Sequence, residues 1–136
     1  MGKKIILTNS DYKKLVKIIQ VYKDSNRLKS EHLRHLAEEL KSASVVDDAE
    51  LLTDVVSINS TVVFKNLETG QSEMVTIVFP AESSQDGTRI SVLSPLGTAL
   101  IGEQESSITE CYAPGGNIKI RVEKIIARHP VIGRVL

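Results

Sequence analysis

The stretch that most strongly constrains the fold runs from Ile90 to Gly102 and reads ISVLSPLGTALIG. Its first residues favour a short β-strand. Pro95 fixes its own φ and pushes Ser94 toward an extended conformation, so the loop after the strand is preorganised. Residues 96–101 then predict one or two helical turns, which Ser94 is placed to cap and Gly102 to close. The stretch therefore predicts a rigid strand–loop–helix unit.

Further short strands are predicted on both sides of this unit. Apolar and polar residues alternate in several segments, as expected for strands with one face on a core and one face in water. The predicted strands lie near residues 62–65, 73–79, 89–93, 108–112 and 118–122. Turn-forming residues separate several of them, at 68–70, 83–87 and 114–117. This pattern predicts a mainly antiparallel sheet with a short helix packed on it.

The first 46 residues have a helical pattern instead. Thr8 is a candidate N-cap with Asp11 as the return carboxylate of a capping box, and Ser30 is a candidate cap for a second helix. Turn-forming residues at 24–26 separate the two. Apolar residues recur at heptad-like spacing in each segment, at Tyr12, Leu15, Ile19 and Tyr22, and at Leu33, Leu36, Leu40 and Ala43. The pattern predicts an antiparallel helical hairpin, a short coiled coil with arms of roughly 22 Å.

The sequence thus predicts an α+β chain of two parts, a helical hairpin over residues 1–46 and a sheet domain over residues 47–136. The charge differs between them, although the formal net charge of all 136 residues is zero. The first part holds ten Lys and Arg against five Asp and Glu, and the second holds seven against twelve. The apolar tail over residues 130–136 is expected either to pack on the sheet or to form a dimer contact.

Composition excludes several classes of protein. A single cysteine, Cys111, cannot form an intrachain disulfide, and no run of apolar residues approaches the length of a membrane span. The protein is therefore expected to be cytoplasmic, without contact with a membrane. Because the chain has no Trp, two Phe and three Tyr, a base-stacking surface for nucleic acid is not expected either.

Several segments resemble the C-terminal domain of the GreA/GreB transcription elongation factors. The strand–loop–helix unit carries the most specific part of the resemblance, a Ser-Pro-Leu-Gly-x-Ala-Leu string from Ser94 to Leu100. Segments 54–56, 59–60, 63–67 and 114–116, with Gly70, also match. Residues 78–81, Val-Phe-Pro-Ala, are closer to the branch called regulator of nucleoside diphosphate kinase. The resemblance implies an FKBP-like fold for the sheet domain.

The resemblance also implies a partner, which is bacterial RNA polymerase. The family's domain docks on a coiled coil at the rim of the polymerase secondary channel, and its helical hairpin points into that channel. Ser94, Pro95 and Leu96 match the docking loop, and Ala99 in the helix behind it is assigned to the same contact. A regulator that occupies the rim, and competes with or modulates Gre-type factors, is the function that this implies.

The predicted hairpin tip departs from the pattern of cleavage factors, whose long hairpin carries paired acidic residues that help to hold a second magnesium ion. Asp24 and Glu31 are seven residues apart, and Arg27 and Lys29 lie between them. Cations at the tip oppose magnesium capture, so the protein is expected not to be an enzyme and to have no catalytic residue. Two alternatives remain, an active transcript cleavage factor and a general module that binds another coiled coil.

Other polar side chains have alternative interpretations. Lys13, Lys14 and Lys17 form a basic face that either meets acidic polymerase surface or nucleic acid, or is simply solvated. His32 and His35 have a spacing that metal sites use, but they lack further ligands, so no metal and no cofactor is expected; His35 is expected to lie near Glu39. The sequence does not decide the oligomeric state.

Overall fold

The computed structural model describes residues 4–49 and 53–128. Helix α1 spans Asn9–Asp24, and Thr8 is its N-cap, with the Thr8 hydroxyl accepting a hydrogen bond from Asp11 N at 3.2 Å. The predicted cap is therefore confirmed. The carboxylate of Asp11 is buried and accepts a hydrogen bond from Ile58 N at 3.1 Å, which ties the start of α1 to the chain that precedes the sheet.

Helix α2 spans Glu31–Lys41 and contacts α1. The intervening turn contains Asn26 in a left-handed conformation, with φ of 56°, where an asparagine is better tolerated than most side chains. Ser30 has the backbone geometry of an N-cap, but its hydroxyl makes no capping hydrogen bond to the helix. With 16 and 11 residues the helices are about 24 and 17 Å long, so the second is shorter than predicted.

A small parallel sheet holds the helices at their outer ends. Strand β1, Ile6–Thr8, leads into α1, and strand β2, Ser44–Val46, follows α2 and pairs with β1. Just after β2, Asp48 accepts a hydrogen bond from Ser10 N at 2.9 Å and another from the Ser10 hydroxyl. The positive end of the helix dipole also stabilises a carboxylate at this position.

The larger sheet has five strands in the order β5-β4-β3-β7-β6. These strands are β3 Ser60–Asn66, β4 Ser72–Val78, β5 Arg89–Ser91, β6 Ile108–Ala113 and β7 Gly116–Arg128. The pairs β3–β4, β3–β7 and β6–β7 are antiparallel, as predicted, whereas β5 is parallel to β4. The difference arises because a 3-10 turn over Pro80–Glu82 and the loop after it return the chain before β5 starts.

Helix α3, Pro95–Leu100, follows β5 and ends at Gly102, whose φ is +77°. At this point three distant segments meet. Gly102 N donates to Val56 O at 2.8 Å, and Ile6 N donates to Gly102 O at 3.0 Å. A Cβ added to Gly102 would lie 2.5 Å from the Cβ of Ile5, so only glycine fits.

One hydrophobic cluster contains residues from all the helices and from the five-stranded sheet. Fully buried members include Leu15 of α1, Leu36 of α2, Leu100 of α3, and Val62 and Val122 of the sheet. The boundary between residues 46 and 47 remains a prediction, and the tail over residues 130–136 lies outside the described residues. None of the helices in the described ranges combines the length and hydrophobicity needed to cross a membrane.

Candidate partner-docking site

The loop between β5 and α3 is held by its own polar groups. The Ser94 hydroxyl accepts a hydrogen bond from Gly97 N at 3.0 Å and donates one to Ser91 O at 2.7 Å. The Ser91 hydroxyl in turn accepts from Leu93 N at 3.0 Å. Since Ser94 is the N-cap and Pro95 is the first residue of α3, the local signals in the sequence and the structure agree.

Gly97 lets α3 lie directly against the end of β5. A Cβ on Gly97 would be 2.1 Å from Ser91 O and 2.8 Å from the Cα of Val92. These are backbone atoms, which cannot rotate away as a flexible side chain would. The Thr98 hydroxyl donates to Pro95 O at 2.9 Å and adds a further bond within the helix. Close contact between the backbones of α3 and the end of β5 therefore fixes the loop.

The structure separates the four residues that the sequence assigned to docking. Ser94, Pro95 and Leu96 are partly exposed, so their side chains are available to a partner. Ala99 is only 6% exposed and belongs to the hydrophobic core. The assignment of Ala99 to a contact surface is corrected accordingly: its methyl group supports the loop from the inside.

Helix α2 lies beside this loop and adds groups that the sequence did not associate with it. His32 meets the backbone of Leu93, and burial lowers the pKa of His32 while the Leu93 backbone acts in the opposite direction. His35 approaches Glu39 at 3.3 Å between Nε2 and Oε2, as predicted, and its ring centroid is 4.9 Å from that of Tyr112 in β6. The contacts of His32 with Leu93 and of His35 with Tyr112 arise from tertiary packing, which has no local sequence signal.

Carboxylates surround Tyr112. Burial raises the pKa of Tyr112, and the negative charges of Glu110, Glu31 and Glu39 raise it further. Within the described ranges, no group of three or more His, Cys, Asp or Glu side chains is arranged to hold a metal ion. The surface around Tyr112 is thus acidic.

Acidification is expected to destabilise the protein through His32. The unfolded chain takes up a proton at this side chain near pH ~6.5, whereas the pKa of His32 is lower in the folded protein. Protonation therefore favours unfolding, and stability is lost as the pH falls from the unfolded toward the folded pKa. Urea denaturation at several pH values should show a smaller loss for His32→Gln than for the unchanged chain. Equal losses in both proteins would contradict this assignment.

The residues assigned to the tip lie where α1 ends and α2 begins. Asp24 Oδ1 accepts a hydrogen bond from Gln20 at 2.9 Å. Arg27 lies over the ring of Tyr22, at 4.7 Å from its centroid, and its Nε donates to the Ser25 hydroxyl at 3.1 Å. Glu31 is exposed in the first turn of α2, where a carboxylate is favoured by the helix dipole. Each of these side chains has a local structural role.

Lys13, Lys14 and Lys17 are all exposed on α1, as the helical spacing predicts. Lys14 has a specific neighbour, because its Nζ is 5.5 Å from the ring centroid of Phe79 at the end of β4. This cation–π contact connects α1 to the sheet. Lys13 and Lys17 extend the positive charge of the helical part into solvent.

Comparison with known proteins agrees with this architecture. The family model described as "Transcription elongation factor, GreA/GreB, C-term" matches residues 51–127. GreA of Syntrophomonas wolfei is 36% identical over 90 residues, which cover 66% of this chain and 57% of that protein. The regulator of nucleoside diphosphate kinase of Escherichia coli is 37% identical over 81 residues, 60% of either chain. The match therefore spans less than two thirds of either relative.

A solved structure is similar over nearly the whole chain. It is the prokaryotic transcription elongation factor GreA/GreB from Nitrosomonas europaea, with a TM-score of 0.72 and 29% identity. The superposition covers 93% of this chain and 100% of that one, so the likeness includes the helices as well as the sheet. Because the family model covers more than half of the residues and the fold agrees, the chain belongs to the GreA/GreB family of transcription elongation factors.

Proposed function

We propose that this protein is a cytoplasmic regulator that binds RNA polymerase at the rim of the secondary channel and competes with or modulates Gre-type factors. The observation that carries the proposal is the loop at Ser94, Pro95 and Leu96. Its backbone is fixed by the Ser94 hydrogen bonds while its three side chains remain partly exposed. A rigid loop loses little conformational entropy when it binds a coiled coil.

We also propose that the helices form a hairpin and that the sheet domain is FKBP-like. The two helices would form the antiparallel hairpin of the family, since they contact each other and are joined by a short turn. The sheet domain would be FKBP-like, since a five-stranded sheet carries the short helix α3 against its core. In this arrangement the hairpin would point into the channel when the loop is docked.

The protein itself would not catalyse a reaction. Asp24 is hydrogen-bonded to Gln20, and Arg27 and Lys29 lie between it and Glu31 in the sequence. Positive charge beside the carboxylates opposes the capture of a magnesium ion. At about 17 Å, the second helix is also short for a hairpin that must reach a distant catalytic centre.

An RNA cleavage assay on backtracked polymerase complexes tests the proposal. This protein alone should produce no cleavage, whereas increasing amounts added to a genuine Gre factor should inhibit the cleavage that the Gre factor stimulates. Cleavage with this protein alone would instead establish an active cleavage factor, with Asp24 and Glu31 as the carboxylates. Absence of any effect at a large excess would favour a module for another coiled coil.

The same assay assigns the loop. Pro95→Ala should raise the concentration needed for half-inhibition by about two- to fivefold, because alanine at this position loses the preset φ and part of the contact. Pro114→Ala, in the exposed turn between β6 and β7, is the matched control and should not change it. Inhibition that is equally strong in both variants would exclude the loop as the docking element.

A further inference from the structure

The two faces of the five-stranded sheet differ in chemistry. One face meets the helices and carries the buried apolar residues of the core, and we call the other the outer sheet face. Because side chains alternate along a strand, Thr61, Val63 and Lys65 of β3 lie on the outer sheet face when Val62 and Phe64 are buried on the inner one. The hydroxyls of Thr61 and Thr76 are 2.8 Å apart, which places β4 in the same alternation.

Exposed apolar side chains lie on this face. Val63 is in register with Met74 on one side and with Lys124 on the other. Met74 is 58% exposed, and Ile108 of β6, which is in register with Arg121, is 44% exposed. These are two of the six large hydrophobic side chains that are exposed in the described ranges. Val63 and Met74 are direct cross-strand neighbours, so they form one continuous apolar area on this face rather than two isolated side chains.

The same face concentrates positive charge in an acidic domain. Residues 47–136 contain seven Lys and Arg, and five of them lie on the strands of this face: Lys65, Arg89, Lys119, Arg121 and Lys124. Register supports the placement, because Lys65 faces Arg121 and Arg89 faces Thr76. Lys119 is opposite Glu110, and Glu123 is 3.9 Å from Arg121, so two carboxylates offset part of the charge. A net excess of three cations remains.

We propose that the outer sheet face binds an acidic protein segment that carries apolar side chains. Such a segment places its carboxylates against Lys65, Arg121 and Lys124 and its apolar groups on Val63 and Met74. Charge complementarity of this kind accelerates encounter and fixes orientation, while burial of the apolar groups supplies affinity. The face is independent of the Ser94 loop, which follows the edge strand β5, so the inference does not rest on polymerase docking.

Other occupants fit the face less well. A second copy would bring an equally cationic face, and like charges repel. The tail over residues 129–136 contains Arg134 and no acidic side chain. Single-stranded nucleic acid is usually bound on aromatic side chains, and Tyr112, which follows Ile108 and Glu110 in this alternation, is already in contact with His35 of α2. An acidic protein segment satisfies both the charge and the apolar groups.

The dimensions of the face indicate a weak, salt-sensitive interaction. Five strands at the usual spacing measure about 20 Å across, and a strand of seven residues is about as long. One helix or a pair of extended strands would cover this area, which is smaller than a standard stable interface. Binding should weaken at least fivefold when salt is raised from roughly 50 to 300 mM, because exposed charges are then screened.

The test is a titration of the isotope-labelled full chain with a synthetic acidic peptide of alternating leucine and aspartate, followed by NMR. Shifts should cluster at Val63, Lys65, Met74, Arg121 and Lys124. The double variant Lys65→Glu with Lys124→Glu should bind at least tenfold more weakly, and Met74→Ser about threefold more weakly. The matched reversal Lys13→Glu with Lys17→Glu, on α1, should change the affinity less than twofold.

Several outcomes would overturn the inference. Shifts confined to α1, or an equal loss of affinity in the α1 control, would show that the peptide follows the helical charge instead. Equal or tighter binding of a single-stranded oligothymidine at the same sheet residues would make the face a nucleic-acid surface. Urea denaturation of each variant confirms that the fold is intact, which is expected because all the substituted side chains are at least partly exposed.

Discussion

Replacing Gly97 with alanine is expected to destabilise the protein by about 3 kcal/mol, although the same change normally stabilises a helix by about 1 kcal/mol. The added Cβ would lie 2.1 Å from Ser91 O and 2.8 Å from the Cα of Val92. Either α3 moves away from β5 or the end of the strand bends. Both responses disturb the Ser94 hydrogen bonds that fix the loop, so partner docking should weaken as well.

Helix propensity and the close backbone contact predict changes of opposite sign in the free energy of unfolding, so one measurement distinguishes them. Urea denaturation of Gly97→Ala is compared with that of Gly115→Ala, where no atom lies within 4 Å of an added Cβ. The control should change the free energy of unfolding by less than about 0.5 kcal/mol. Unchanged or increased stability in Gly97→Ala would show that the strand and helix have room to separate. The loop between them would then not be rigid.

Replacing Asp11 with alanine should cost about 2–3 kcal/mol. The Asp11 side chain is only 6% exposed, and its Oδ2 accepts from Ile58 N. Without it, a backbone N–H in the interior loses a charged acceptor, and water has little access to replace it. The start of α1 would be released from the segment that precedes β3, and the orientation of the helices would be less well defined.

Asp24→Ala provides the comparison at the opposite end of the same helix. Asp24 is exposed, its partner is the neighbouring Gln20, and a carboxylate in the last turn is disfavoured by the helix dipole. Its replacement should therefore change stability by less than about 0.5 kcal/mol. If both variants lose the same stability in thermal and urea denaturation, the Asp11–Ile58 bond is not the connection described above.

Local signals predicted much of this fold. The Thr8 cap, the turn at Asn26 and the positions of the larger sheet's strands along the chain follow from side-chain chemistry within a few residues of each feature. The pairing of β1 with β2 was missed because each strand has three residues and its partner lies far away in the sequence. Asp48 has no local signal for its role, because its bonds to Ser10 exist only after that pairing forms.

The candidate site likewise combines residues that local signals predict with residues that only tertiary packing places there. Ser94 and Pro95 identify the loop because a cap and a first-turn proline act on their immediate neighbours. The burial of Ala99 and the approach of His32 to Leu93 depend on how α3 and α2 pack, which no spacing in the sequence reveals. The outer sheet face was also missed, since its cations are scattered over three strands within the acidic part of the chain.

The junction at Gly102 has a consequence for biosynthesis. Ile6 is synthesised well before Gly102, yet its backbone N–H is satisfied by the carbonyl of Gly102. At ~5–20 residues per second, the two are made roughly 5–20 s apart. Contacts between such distant residues slow folding, because a large loop must close first. The apolar side chains of the helices therefore stay exposed until Gly102 has been made. During that interval, chaperones would bind the helices of the nascent chain.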